Sequence, residues 1–235
     1  MKRILIIGLL GSILMSCQPS EEELLQAGIE KMDQQSWSEA IPYFDRALEQ
    51  NPENATALNA KGVALFQQEK FEEAIPVFTA AIESDSSIYK PWFNRANANF
   101  ELGNLKESLA DFNMANGLDP SQTDIYYNRG VALLGLEEYE DAILDFDAAL
   151  QVNPNQALVY FNKAKAQLGN NNPAGALESL TNTVNLDAKN AAAYYLLGVT
   201  RMSATGEKEE GCADLKMALN LGYTEAKTWI DDFCD

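Results

Sequence analysis

Large apolar and small residues return along the chain with a period of 34 residues. One position of the period is held by a large apolar side chain five times in succession, at Phe44, Phe78, Phe112, Phe146 and Leu180. Small residues hold three other positions, first seen at Gly28, Ala40 and Ala47, and mostly return at the same spacing. A period of this length predicts stacked supersecondary units, each of which needs its neighbour to bury its apolar face.

The residue types predict what each unit contains. Two helix backbones approach closely only where small side chains lie at their crossing, and a phenylalanine can fill the space beside such a crossing. Proline falls between units at Pro52, Pro120 and Pro154, since it breaks the interior of a helix. Each unit is therefore predicted to be a pair of antiparallel helices.

The recurring order of a small residue, then alanine, phenylalanine, alanine and proline, resembles the signature of the tetratricopeptide repeat (TPR) family. The resemblance covers about residues 21–222. It implies an all-α fold, a right-handed α-solenoid of about six TPR helix pairs. The units that the spacing predicts are 21–54, 55–88, 89–122, 123–156, 157–190 and 191–222.

The last two units depart from this pattern. In unit five, Pro173 stands where units one, two and four have an aromatic residue: Trp37, Phe71 and Tyr139. Unit six fits only if one residue is inserted in its internal turn, around 203–206.

A capping helix is predicted over residues 223–235. Gly222 is a helix stop, and Thr224 can cap the helix that follows. The apolar stripe of this helix comprises Ala226, Trp229, Ile230 and Phe233.

The amino-terminal segment has the layout of a secretory signal peptide over residues 1–16. Lys2 and Arg3 precede about a dozen mostly apolar residues, and Ser16 ends the segment. The apolar run is shorter than the roughly 20 residues that a membrane-spanning helix needs, which disfavours an uncleaved anchor.

Leu14 to Cys17, LMSC, resembles the lipobox of bacterial lipoproteins. The resemblance implies cleavage before Cys17 and attachment of lipid to it, with residues 17–20 as a lipidated tether. Gln18 follows the cysteine in place of an aspartate, which favours an outer-membrane lipoprotein, on the periplasmic face or at the cell surface. The alternative is a Cys17 that is buried or disulfide-bonded.

If Cys17 carries lipid, two cysteines remain, Cys212 and Cys234. An even number of cysteines in an oxidising compartment favours a disulfide. They lie at equal distances from the predicted turn near Tyr223, which places them at the same height in an antiparallel helix pair. We predict a disulfide between them; the alternative is two buried thiols.

The TPR resemblance implies that the first helix of each unit lines a concave groove. Aromatic and amide residues recur at the groove-facing positions, and amides can pair with the backbone of an extended peptide. The candidate groove residues are Phe93, Asn94, Asn97, Tyr127, Asn128, Phe161, Asn162 and Tyr195. The alternative is that these residues serve only to pack neighbouring helices.

Arg95 and Arg129 belong to a series that first suggests a basic binding strip. Asp111 and Asp145 follow them at the same offset of sixteen residues, from first helix to second. This offset favours structural ion pairs, Arg95 with Asp111 and Arg129 with Asp145, over a binding strip.

Composition narrows the function classes. There are 35 acidic residues against 17 basic ones and no histidine. So acidic a chain repels phosphate backbones, which argues against nucleic acid as a partner, and the lack of histidine excludes His-based catalysis and metal sites. Neither a metal nor a cofactor is expected.

We interpret the chain as a non-enzymatic scaffold or adaptor, anchored to the bacterial envelope by lipid, that binds an extended peptide or partner protein in the concave groove. The alternative is a lipoprotein that binds carbohydrate or another small ligand. It would stack sugar rings on the aromatic stripe of Phe93, Tyr127, Phe161 and Tyr195.

Overall fold

A computed structural model of the protein describes residues 18–234, which form thirteen α-helices, one π-helical turn and no strand. The first six helices are α1 (Glu21–Asp33), α2 (Trp37–Gln50), α3 (Ala55–Phe66), α4 (Phe71–Ser84), α5 (Tyr89–Glu101) and α6 (Leu105–Leu118). The others are α7 (Thr123–Gly135), α8 (Tyr139–Val152), α9 (Ala157–Gly169), α10 (Pro173–Leu186), α11 (Ala191–Thr200), α12 (Lys208–Asn220) and α13 (Ala226–Phe233). The predicted all-α fold is confirmed. The predicted signal peptide and Cys17 lie outside the described residues.

Consecutive helices pack as six pairs, α1 with α2 through α11 with α12, and each pair packs on the next. First helices of successive units also touch one another, from α1 through α9. Within residues 18–234, second helices do not approach one another to the same extent. The stack therefore bends around its first helices, and these line the inner, concave face.

The core lies between the two helices of each unit. Phe44, Phe78, Phe112 and Phe146 are fully buried, and Leu180 and Leu215 take their place in the last two units. A Cβ atom added at Gly62 would lie 2.4 Å from Cε1 of Phe78. A small residue is needed at this position of the repeat because the phenylalanine ring of the second helix lies directly on the backbone of the first helix.

The turn inside each unit contains one residue with positive φ. These residues are Gln35, Glu69, Gly103, Glu137, Asn171 and Gly206. Glycine adopts this conformation without steric cost, but only two of the six residues are glycine. The residue types therefore did not reveal where the chain takes a positive φ. In unit six the extra residue is taken up by a π-helical turn, Arg201–Thr205, which keeps Gly206 in the left-handed position.

The amino terminus is attached to the fold earlier than predicted. Ser20 and Glu23 form a reciprocal capping box at the start of α1. The backbone carbonyl of Pro19 accepts a hydrogen bond of 3.1 Å from Nε2 of Gln50. Residues 19 and 20 of the predicted tether therefore belong to unit one.

The carboxy terminus is closed by α13, which packs on α12. Glu225 precedes this helix, and the predicted side-chain cap from Thr224 does not form. Of the predicted apolar stripe, Ala226 is buried but Phe233 is 48% exposed. No helix within residues 18–234 has both the length and the apolar character that crossing a membrane requires.

Cys212 and Cys234 join α12 to the end of α13. Their Cα atoms are 5.7 Å apart and their sulfur atoms are bonded, which closes a loop with a sequence separation of 22. Cys212 is 7% exposed. The bond ties the terminal helix to the last repeat.

Replacing both cysteines by serine, Cys212→Ser with Cys234→Ser, is expected to lower the free energy of unfolding by about 3 kcal/mol, because the unfolded chain gains the entropy of the opened loop. Urea denaturation followed by circular dichroism measures the change. Reducing the unmodified protein should produce the same loss. An unchanged urea midpoint after reduction would show that the bond does not stabilise the fold.

Candidate functional site

A hollow of about 410 Å³ lies on the concave face between α5 and α7, beside the end of α3. We call it the first hollow. Its apolar surface comes from Phe66, Phe93, Phe100, Phe112, Tyr127 and Val131. Its polar groups are Asn97, Glu101, Asp124 and Asn128. Four of the eight predicted groove residues, Phe93, Asn97, Tyr127 and Asn128, are thus brought together here.

The amides among the predicted groove residues join neighbouring first helices. Nδ2 of Asn128 donates to Oδ1 of Asn97 over 3.0 Å, linking α7 to α5. Nδ2 of Asn94 donates to Oδ1 of Asn59 over 2.9 Å, linking α5 to α3. One group of each amide is therefore structural. Nδ2 of Asn97 and Oδ1 of Asn128 make no hydrogen bond within residues 18–234, so both can pair with a ligand.

The two aromatic residues of the first hollow rest on the core. The ring of Phe93 lies 5.8 Å from that of Phe112, and the ring of Tyr127 lies 6.3 Å from that of Phe146. The Tyr127 hydroxyl accepts a hydrogen bond from Asn162 and donates none within the described part of the chain. Burial raises the pKa of this hydroxyl further above neutral pH, and the protonated group can donate a hydrogen bond to a ligand.

The other predicted groove residues have different surroundings. Asn162 is buried and lines a neighbouring second hollow, which shares Phe100 and Val131 with the first. Phe161 lies under the ammonium group of Lys165, 6.0 Å from its ring centroid. Tyr195 stacks on Tyr223 at 4.7 Å, within the carboxy-terminal cluster. The predicted stripe of four aromatic residues is therefore not one continuous surface.

Six residues of the first hollow were missed by the sequence reasoning. They are Phe66, Phe100, Glu101, Phe112, Asp124 and Val131, of which Phe112 had been recognised only as core. A signal for two of them was present in the repeat, since Phe66, Phe100, Leu134 and Leu168 are also spaced by 34 residues. For Glu101 and Asp124 the equivalent position is acidic only in unit one, at Asp33 and Glu22, so the period carries little signal.

Arg95 and Arg129 lie outside the first hollow and bind within their own units. Nε and Nη2 of Arg95 donate to the two carboxylate oxygens of Asp111, both over 2.8 Å. Arg129 binds Asp145 in the same way, over 2.7 and 2.6 Å. Nη1 of each arginine reaches the second helix of the preceding unit, at Thr79 and Asn113. These groups tie the first helix to two second helices at once.

The chemistry of the first hollow is that of a binding surface. Apolar area on its floor, amide groups and carboxylates at its rim can position a ligand. Within residues 18–234, no three His, Cys, Asp or Glu side chains lie close enough together to hold a metal ion.

Family models of the tetratricopeptide repeat match residues 25–91, 66–123, 123–156 and 161–219. The chain belongs to the tetratricopeptide repeat family. A search of curated proteins found no match. The helix pairs and buried phenylalanines described above are the TPR units to which these models correspond.

Solved TPR structures share the fold. YrrB, a TPR protein with an unusual peptide-binding site, is 23% identical, with a TM-score of 0.70 over 76% of this chain and 92% of that chain. PilF of Pseudomonas aeruginosa is 19% identical, with a TM-score of 0.73 over 90% and 97%. MamA of Desulfovibrio magneticus is 18% identical, with a TM-score of 0.68 over 72% and 96%. The TPR fold is that of a protein–protein interaction scaffold, and TPR proteins are typically non-catalytic.

Proposed function

We propose that this TPR protein binds an extended segment of a partner protein in the concave groove, with the first hollow as the main contact. The observation that carries the proposal is the combination of apolar floor and unused polar groups in one hollow. Phe93 and Tyr127 offer half-buried rings, and Asn97 and Asn128 each keep one amide group that no other residue of the described chain binds. Such a surface suits a peptide backbone flanked by apolar side chains.

A similar structure supports the binding of a peptide. YrrB, with the same fold, is described as having a peptide-binding site. A partner segment is also favoured over a metal or a small charged ligand, because most of the lining is aromatic or aliphatic.

Tyr127→Ala is expected to weaken partner binding by about tenfold or more, because it removes the central ring and its hydroxyl donor. Crosslinking and recovery of partners from envelope extracts, with quantitative mass spectrometry, is the measurement. Tyr43→Ala on α2 is a matched control, since it makes the same change on a second helix of unit one. If both variants recover the same partners in the same amounts, the groove is not the binding site.

We also propose that Cys17 carries lipid and anchors the protein at the outer membrane. The LMSC stretch supports the modification, and the hydrogen bond at Pro19 supports a short link. With only Gln18 between Cys17 and Pro19, unit one would lie close to the membrane surface.

Cys17→Ala is expected to move the protein from the membrane fraction to the soluble fraction and to abolish labelling by a radioactive fatty acid. Cell fractionation with immunoblotting measures the first effect. Gln18→Ala, one residue further on, should leave both properties unchanged. Lipid labelling that persists in Cys17→Ala would exclude the anchor.

A further inference from the structure

We infer that the first hollow selects a partner segment in which a large apolar or aromatic side chain has lysine or arginine two positions away. This inference rests on the proposed function, because it specifies the chemistry of the segment that the same groove binds. The floor of the hollow supplies the apolar part, since four phenylalanines and a valine contribute to a volume of about 410 Å³. A hollow of this size and composition accepts one large apolar side chain.

The basic part follows from two carboxylates at the rim. Glu101 is the last residue of α5, and Asp124 lies in the first turn of α7. Both are exposed, and neither makes an ion pair or a side-chain hydrogen bond within residues 18–234. They therefore place two negative charges without a direct ion-pair partner in the described residues beside an apolar surface, where a cationic side chain of a ligand would be attracted.

The spacing of these carboxylates sets the pattern. On α7, Asp124 occupies the repeat position that residue 90 occupies on α5. Residues 90 and 101 are eleven residues apart on α5, which is about 16 Å along the helix axis. Asp124 and Glu101 are therefore separated by about this length along the direction of the helices. An extended segment of about five residues spans this length. In an extended segment alternate side chains share a face, so an apolar residue and basic residues two positions before and after it all point to the groove.

The surrounding charges favour the same sign of ligand. Burial, and then the nearby carboxylates of Asp119 and Asp124, raise the pKa of the Tyr89 hydroxyl, which marks a negative potential at this end of the hollow. Arg95 and Arg129 are neutralised by their aspartates. Lys90 occupies the position of α5 equivalent to Asp124 and is the cation of that turn. The chain as a whole has 35 acidic and 17 basic residues, so its net charge attracts a cationic segment.

A random peptide library displayed on phage tests the inference directly. The full-length chain in detergent micelles is the target, and Tyr127→Ala serves to subtract sequences that bind elsewhere. We expect the groove-dependent sequences to share a large apolar residue with lysine or arginine two positions away. Groove-dependent sequences without the basic residue would overturn this inference and leave the proposed function standing. The absence of any groove-dependent sequence would overturn both.

A defined probe isolates the carboxylates. The peptide core Lys-Gly-Phe-Gly-Lys, labelled with a fluorophore, is expected to bind Glu101→Gln with Asp124→Asn about tenfold more weakly than the unmodified chain. Glu107→Gln with Glu140→Gln is the matched control on second helices and should bind normally. The difference should shrink as salt is raised. Binding within twofold of the unmodified chain at low salt would overturn the role of Glu101 and Asp124.

Discussion

Replacing Phe112 by alanine is expected to lower the free energy of unfolding by about 3–5 kcal/mol. The side chain is fully buried and packs between α5, α6 and α7 with Ala96, Ala115 and Ile125. The small residues around it belong to helix backbones that already touch, so the structure cannot collapse into the space. A cavity would therefore remain, which adds to the lost apolar burial.

The same substitution is expected to damage the binding site. Phe112 lines the floor of the first hollow and supports the ring of Phe93. Urea denaturation gives the change in stability, and partner recovery gives the change in binding. Leu144→Ala is the control, because Leu144 lies on a second helix with 66% of its surface exposed and should change the free energy by less than about 0.5 kcal/mol. Equal losses in the two variants would show that the central units are loosely packed.

Asp145→Ala is expected to lower the free energy of unfolding by about 3 kcal/mol, because it leaves Arg129 without its partner in a site largely removed from water. The side chains of Arg129 and Asp145 are only 17% and 7% exposed. Hydrogen bonding to Asp145 is the main reason that the pKa of Arg129 is raised. A cation of this kind cannot lose its charge to relieve the burial.

A double variant separates the unpaired charge from the pair itself. Arg129→Met with Asp145→Leu removes both charges and fills similar volume, so it should be less destabilising than Asp145→Ala alone. Asp147→Ala is the surface control. Its carboxylate pairs with Lys163 but is 51% exposed, so the loss should stay below about 1 kcal/mol. If Asp145→Ala lowered the free energy of unfolding no more than Asp147→Ala does, the buried pair would stabilise the fold no more than the exposed pair.

Much of the fold could be predicted because the relevant signals are local and repeated. Phe44 and its equivalents mark the core, and the glycine and alanine positions mark the helix crossings. The turn geometry could not be predicted in this way. Glu69 and Glu137 adopt a left-handed conformation that their residue type does not favour, because the crossing of two packed helices imposes it.

The candidate site was predicted only in part. Phe93, Asn97, Tyr127 and Asn128 meet in the first hollow, as the groove-facing spacing implied. Tyr195 shares the repeat position of Tyr127 but stacks on Tyr223, because its neighbour is the carboxy-terminal end of the solenoid. Equivalent positions in a repeat thus acquire different surroundings when the adjacent units differ.

By itself, the sequence determined the number and length of the helix pairs, their core residues and the TPR family, because each of these depends on a pattern that recurs within 34 residues. The tertiary structure alone decided where the solenoid can hold a ligand. The first hollow takes walls from three units, with Phe66 on α3, Glu101 on α5 and Asp124 on α7. Its shape and charge depend on which side chains successive units bring together, and no single period of the sequence contains that information.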